Sequence, residues 1–144
     1  MDSPTYLAAF RRLLQDTDDV NELYTDDDLW NATADAVVDL QVRGAVNYPG
    51  YTIDTVGTDQ AFSTDPTNEY ALLTMKQAAL MLLTAVYRGK VNRGELGGSW
   101  KSGLEEESTS TTQRAFAASL AELEQQVDAL LILRARQVFA TRVQ

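Results

Sequence analysis

The stretch that most limits what this chain can fold into lies between Asp65 and Arg88. Asp65-Pro66 reads as a helix N-cap followed by proline at the first helical position, where the missing N–H costs nothing. Beyond it, Leu72, Met75, Ala79, Leu82, Leu83 and Val86 recur at helical spacing and fill one face. Tyr70, Leu73, Leu80, Met81 and Tyr87 occupy much of the remainder. A helix that is apolar nearly all round is buried on several sides. The other elements must therefore pack around this one, or an assembly must cover it. Its uncharged core, Ala78–Tyr87, is about half a membrane span and reads as a core helix.

The flanking segments supply three further helices. The first is expected at Ser3-Pro4, with Ser3 as cap and Leu7, Phe10, Leu13 and Leu14 on one face. It stops at Asp16-Thr17-Asp18-Asp19, whose short polar side chains favour turns. The second begins at Thr25, with Asp28 three residues on and Tyr24 and Leu29 placed as a hydrophobic staple. Asp26, Asp27 and Asp28 sit in its first turn, where the helix dipole favours negative charge. Leu29, Ala36, Val37 and Leu40 form its inward stripe, with Trp30, Ala34 and Val38 beside it, and Gly44 closes it. Tyr48-Pro49-Gly50-Tyr51 is a turn signal, and Tyr51–Val56 alternates like a short strand, which predicts at most a small hairpin.

Residues 89–112 read as a long flexible loop holding five of the eight glycines, Trp100, the triplet Glu105-Glu106-Glu107 and a Ser/Thr run. Trp100 must pack on something, either its own core or a neighbouring subunit. The last helix is expected from about Thr112 to Ala140, roughly 40–45 Å. Phe116, Leu120, Leu123, Val127 and Leu130 form a heptad stripe that breaks at Arg134. The expectation is a single all-α domain over residues 1–144. It is a bundle of about four helices with a long central helix, a long C-terminal helix and a long Gly/Trp-containing loop.

Composition removes most chemistry. The chain has no His and no Cys, which eliminates Ser–His, Cys–His, zincin and thiolate sites. The acids at Asp16–Asp19 lack the glycine and glutamate of a calcium loop, since Asn21 and Asp27 stand at those positions. The other acids lie in solvated clusters without the apolar setting that tunes a catalytic carboxyl. No enzymatic activity and no cofactor or metal is expected. The net charge of −9 argues against sequence-reading of DNA. That charge is uneven, with 14 acids and 3 bases in residues 1–69 against 7 acids and 9 bases in residues 70–144. Such a molecule can associate head to tail with copies of itself or a partner, or its terminal bases simply complement the dipole of the last helix. No basic-then-apolar leader follows Met1-Asp2, and no membrane contact is expected.

Three stretches together resemble the head–tail connector (adaptor) proteins of tailed bacteriophages. They are Thr25-Asp-Asp-Asp-Leu-Trp, Thr64-Asp-Pro-Thr-Asn-Glu leading into the apolar helix, and Ser99-Trp-Lys-Ser-Gly followed by acids, Ser108-Thr-Ser-Thr-Thr and the final helix. The resemblance implies an oligomeric ring, typically twelve-fold, in the virion neck. Such a ring is assembled in the host cytoplasm, binds below the portal, extends the DNA channel and presents a surface to the stopper or tail. By that resemblance the C-terminal segment 133–144 docks on the portal, with Arg134, Arg136, Val138, Phe139 and Arg142 as contacts. Gly94, Gly97, Gly98, Trp100 and Gly103 are implied as contacts between subunits or with the next ring. A bore lined with acids would repel phosphate and let the duplex slide, and Asp26, Asp27, Asp28, Glu105, Glu106 and Glu107 are the candidates. The rival reading is an acidic DNA mimic that occupies a nucleic-acid-binding protein, although these acids bunch at helix starts rather than being spaced like phosphates.

Overall fold

The computed structural model describes residues 1–45, 48–56, 59–92 and 103–143, with side-chain surroundings given for 1–45, 48–55, 59–89, 92, 114 and 117–136. Helix α1 spans Ser3–Leu14 and α2 spans Asp26–Val42. The α1 cap is Asp2, not Ser3: its carboxylate accepts the Thr5 N–H at 2.9 Å. This one-residue shift puts Ser3 inside the fold, where its Oγ accepts the Phe62 N–H at 2.9 Å and ties the helix to a hairpin. The inward face also differs from the expected one. Tyr6 and Phe10 are fully buried, while Leu13 is exposed at the rim.

The acidic segment after α1 is a folded loop. Asp16 is 3% exposed and accepts N–H groups of Leu23 and Tyr24 at 2.8 and 3.1 Å, while Arg11 Nη1 donates to it at 2.9 Å. Asp18 accepts from Val20 N–H and Asn21 Nδ2, both at 3.0 Å, closing a local turn. The α2 start is as read from sequence. Thr25 Oγ1 accepts the Asp28 N–H at 3.1 Å, and the Asp28 carboxylate accepts the Thr25 N–H at 3.0 Å. Gly44 lies just past the end with φ +71. Leu29, Trp30, Ala36, Val37 and Leu40 are buried, but Val38, expected beside the stripe, is 59% exposed.

Strands β1 (Ile53–Val56) and β2 (Asp59–Phe62) form one antiparallel hairpin, with Ile53 opposite Phe62. An isolated hairpin is marginal in water. This one is held by aromatics: Phe62 meets Tyr6, Trp30 and Tyr51 edge-on at centroid distances of 4.9, 5.2 and 6.0 Å. The cluster continues through Tyr48 to Tyr70. Gly50 turns the chain into the hairpin with φ +68, and a Cβ there would lie 2.0 Å from Gln41 Nε2.

Helix α3 (Asn68–Asn92) is the centre of the bundle, packed on α1, α2 and α4. It begins later than Asp65-Pro66 predicts. The Thr67 carbonyl accepts the first helical bond, from Ala71 at 2.8 Å, and Pro66 is buried in the approach. Two threonines anchor tyrosines in the core. Thr33 Oγ1 donates to the Leu29 carbonyl at 2.8 Å and pairs with Tyr6 Oη at 2.9 Å; Thr74 repeats this with the Tyr70 carbonyl and Tyr48 Oη at 2.6 and 2.7 Å.

Helix α4 runs from Gly103 to Val143, 41 residues and about 60 Å. The expected loop of 89–112 is therefore too long, because α3 continues to Asn92 and α4 starts at Gly103. Gly103 and the Glu105–Glu107 triplet are helical positions. Ser102-Gly103-Leu104-Glu105 has the spacing of a capping box, and three acids at a helix start complement its dipole. The two long helices are antiparallel: Lys76 Nζ donates to Gln126 at 2.8 Å, and Arg134 meets Tyr70. The stripe Leu120, Leu123, Val127 and Leu130 faces inward, with Leu123 and Val127 buried. Arg134 does not break it but takes the next heptad position. The all-α four-helix architecture with a small hairpin near 51–56 is as the sequence predicts.

Candidate functional site

The α3 helix is two different objects along its length. From Tyr70 to Ala79, Tyr70, Ala71, Leu73, Thr74, Met75, Gln77, Ala78 and Ala79 are all buried. From Leu80 to Gly89 no residue is fully buried, although Leu80, Met81, Leu82, Leu83, Val86 and Tyr87 are the same apolar types. By length and hydropathy, Asn68–Gly89 could cross a bilayer. Its first half is instead the core of the bundle.

Beside the less covered half, α2 and α3 enclose an open groove of about 400 Å³. Its α2 wall carries Asp28, Asn31, Ala32 and Asp35, and its α3 wall carries Met81, Leu82 and Ala85. The floor is apolar and the α2 rim is acidic. A second, smaller cavity of about 100 Å³ lies between the opposite end of α3 and α4, lined by Tyr70, Leu72, Leu73, Leu130 and Leu133 together with the charged pair Glu69 and Arg134. Leu72, Leu133 and the neighbouring Ile132 are 40%, 52% and 53% exposed, so an apolar patch adjoins it. A third recess, of about 350 Å³, lies where α1, α2 and β2 meet, with Asp26, Asp27 and Asp59 around Pro4, Leu7 and Trp30.

The α4 end is the other distinctive feature. Arg134 pairs with Tyr70 at the start of α3, so the helix from Arg136 to Val143 runs past α3's first residue by about 12 Å. Arg134 itself is engaged within its own chain. Its Nε donates to Tyr70 Oη at 3.1 Å, its Nη1 to Glu69 at 2.9 Å, and its guanidinium lies 4.8 Å from the Tyr70 ring centroid. Arg136 is exposed. Val138, Phe139 and Arg142 belong to the projecting helix, with side chains outside those described.

The acids put forward for a bore separate in the same way. Asp26 accepts from Arg11 Nη2, and Asp28 completes the capping box, so both serve their own chain. Asp27 is exposed at the third recess. Glu105, Glu106 and Glu107 lie in the first turns of α4, with side chains outside those described. Gly94, Gly97, Gly98 and Trp100 fall outside the described residues.

Burial pushes the Tyr48 hydroxyl up to about 12 and raises that of Tyr6 still further, so both stay neutral hydrogen-bonding groups. The Asn21 side chain holds the Asp18 carboxyl below its ordinary value, and Thr5 does the same for Asp2. Gln77 donates to Asp39 at 2.6 Å while its buried Oε1 has no partner. Among the described residues no group of three acids is arranged to hold a metal ion.

The acidic groove was not singled out from sequence, yet its signal is present: Asp28, Ala32 and Asp35 share one side of α2. What periodicity lacks is the pairing of that side with Met81 and Ala85 of α3. The chain matches no protein-family model, no curated protein and no solved structure.

Proposed function

We propose that this chain is the subunit of a head–tail connector ring, a structural protein of a phage neck without enzymatic activity. The ring seats below the portal, extends the DNA channel and offers its far face to the stopper or tail. The observation that carries the reading is the unfinished helix pair. A helix of about 60 Å is far longer than the ~37 Å span expected of a compact 144-residue domain. The antiparallel register leaves its end unmatched by α3. Together with the half-covered Leu80–Tyr87 segment, this is a subunit whose apolar surface is completed by neighbours.

The charge fits a conduit. Net −9 per copy disfavours a grip on phosphate, so duplex DNA passes without sequence-specific binding. Asp27 is the first acid to test in the bore, since Asp26 already pairs with Arg11 of α1 and Asp28 caps α2. The rival DNA-mimic reading has less support, because Asp16, Asp18, Asp26 and Asp28 accept hydrogen bonds from their own chain.

Co-expression with the portal protein of the cognate phage, followed by electron microscopy of the purified complex, tests the reading. A ring of this chain stacked on the portal is expected. Particles whose neck contains no copy of the chain would refute it. Displacement of a host DNA-binding protein from duplex DNA would favour the mimic instead.

A further inference from the structure

We infer that the acid-rimmed groove between α2 and α3 receives the projecting α4 end of a second copy of this chain. This deepens the ring reading by naming the contact that joins its subunits, and it reassigns the arginine-bearing end from the portal to the neighbour. The argument begins with what each surface lacks. The groove has an apolar floor, Ala32, Met81, Leu82 and Ala85, and along one side the exposed carboxylate of Asp35 and that of Asp28, one oxygen of which is taken by the Thr25 N–H. Its complement is an amphipathic helix with an apolar stripe and arginines beside it.

The α4 end has that pattern. Ile132, Ala135, Phe139 and Val143 step by 3, 4 and 4 residues and so share one side of the helix. Arg136 and Arg142 flank that stripe on the helical wheel. It lies away from the inward stripe of Leu123, Val127 and Leu130, and Ile132 is 53% exposed. No acid occurs from Ala129 onward. The front half of the chain carries the opposite charge, 14 acids against 3 bases.

The contact must join two molecules. The projecting end leaves the bundle beside the start of α3, whereas the groove flanks Met81–Ala85, about 20 Å further along the same helix. A continuous helix cannot fold back to reach it. One copy therefore donates the end and accepts at the groove, which is a heterologous contact. Repeated about one axis by a rotation that divides the full turn, such a contact closes into a ring.

Two full-length variants test this by sedimentation or light scattering up to about millimolar protein. Asp35→Arg spoils the groove, and Arg136→Glu with Arg142→Glu spoils the end; circular dichroism checks that each remains folded. Native chain is expected to self-associate, and each variant alone to lose at least about tenfold in association constant. Mixing the two variants should give a dimer and nothing larger, because only one sound groove meets one sound end. The inference is overturned if native chain stays monomeric throughout, if either variant associates like the native chain, or if the mixture stays monomeric. The ring reading fails separately. Rings on the portal that form normally from both variants would remove this contact and keep the ring, whereas groove-dependent association with no ring on any portal would do the reverse.

Discussion

Replacing Val127 by alanine tests how α4 is held to the bundle. Val127 is fully buried, and among the described residues it shares its small buried cluster with Leu40 of α2 and Leu73 of α3. Removing two methyl-sized groups costs roughly 1.5 kcal/mol in transfer free energy at ~0.8 kcal/mol per group. A residual cavity adds to this, for a total of about 1.5–2.5 kcal/mol. In a domain of this size, that corresponds to a fall in Tm of roughly 4–10 °C. The change should also be local. The larger core cluster, built on Tyr6, Phe10, Leu29, Trp30, Phe62 and Met75, reaches α4 at Leu123 but does not include Val127. Chemical denaturation followed by circular dichroism gives the free energy, and hydrogen exchange read by mass spectrometry gives its location. Amides of α4 around residues 120–134 are expected to lose protection before those of α1 and α2. A loss below about 0.5 kcal/mol, or equal loss of protection in α1 and α4, would refute this account of the attachment. Leu133→Ala, at a residue 52% exposed, serves as the control that leaves stability nearly unchanged.

Other outcomes follow from single features. Thr25→Ala removes the reciprocal cap of α2 and should cost about 1 kcal/mol by urea titration, with Thr25→Ser recovering most of it. Gly50→Ala should cost more than about 1 kcal/mol, because the left-handed φ and the approach of Gln41 both oppose a Cβ; truncating Gln41 at the same time should relieve only the second part. Tyr48 and Tyr6 have folded values raised above the ordinary tyrosine value, so the unfolded chain loses these protons first and stability falls as pH rises beyond about 10. Thermal melts between pH 8 and 12 should show that decline, and replacing Tyr48 by phenylalanine should reduce its slope. Asp18 and Asp2 are lowered, so their contribution is present above about pH 4 and disappears as the medium is acidified below it. Asp18→Asn should flatten that acid limb.

The helices were legible because their signals are local. Thr25 with Asp28, the all-round apolar run after Asn68 and the heptad steps from Leu120 to Leu130 each specify an element within a few turns. Misplaced boundaries came from competition between neighbours of similar capability. Asp2 and Ser3 can both cap α1, and the one left over was needed at distance by Phe62. Arg134 looked like an interruption because its guanidinium is charged, yet Tyr70 and Glu69 let it occupy a stripe position. From sequence Asp16 is simply one of the turn residues that end α1. Its burial depends on Leu23, Tyr24 and Arg11 converging on it, which no period in the sequence encodes. The groove was hidden for the same reason: each wall is visible in its own helix, but their pairing is a tertiary fact.

The threonine–tyrosine pairs fix the direction of their own hydrogen bonds. Thr33 has a single hydroxyl proton, and it is committed to the Leu29 carbonyl, so Tyr6 must be the donor between them. Thr74 imposes the same polarity on Tyr48 through the Tyr70 carbonyl. The two partners are therefore unequal under substitution. Tyr6→Phe leaves Thr33 with its donor satisfied and one acceptor lone pair idle, a mild loss. Thr33→Val keeps the shape almost unchanged, yet strands a phenolic proton in the core at a cost of about 1–3 kcal/mol. The smaller, blander residue of each pair is the one whose replacement costs the bundle more.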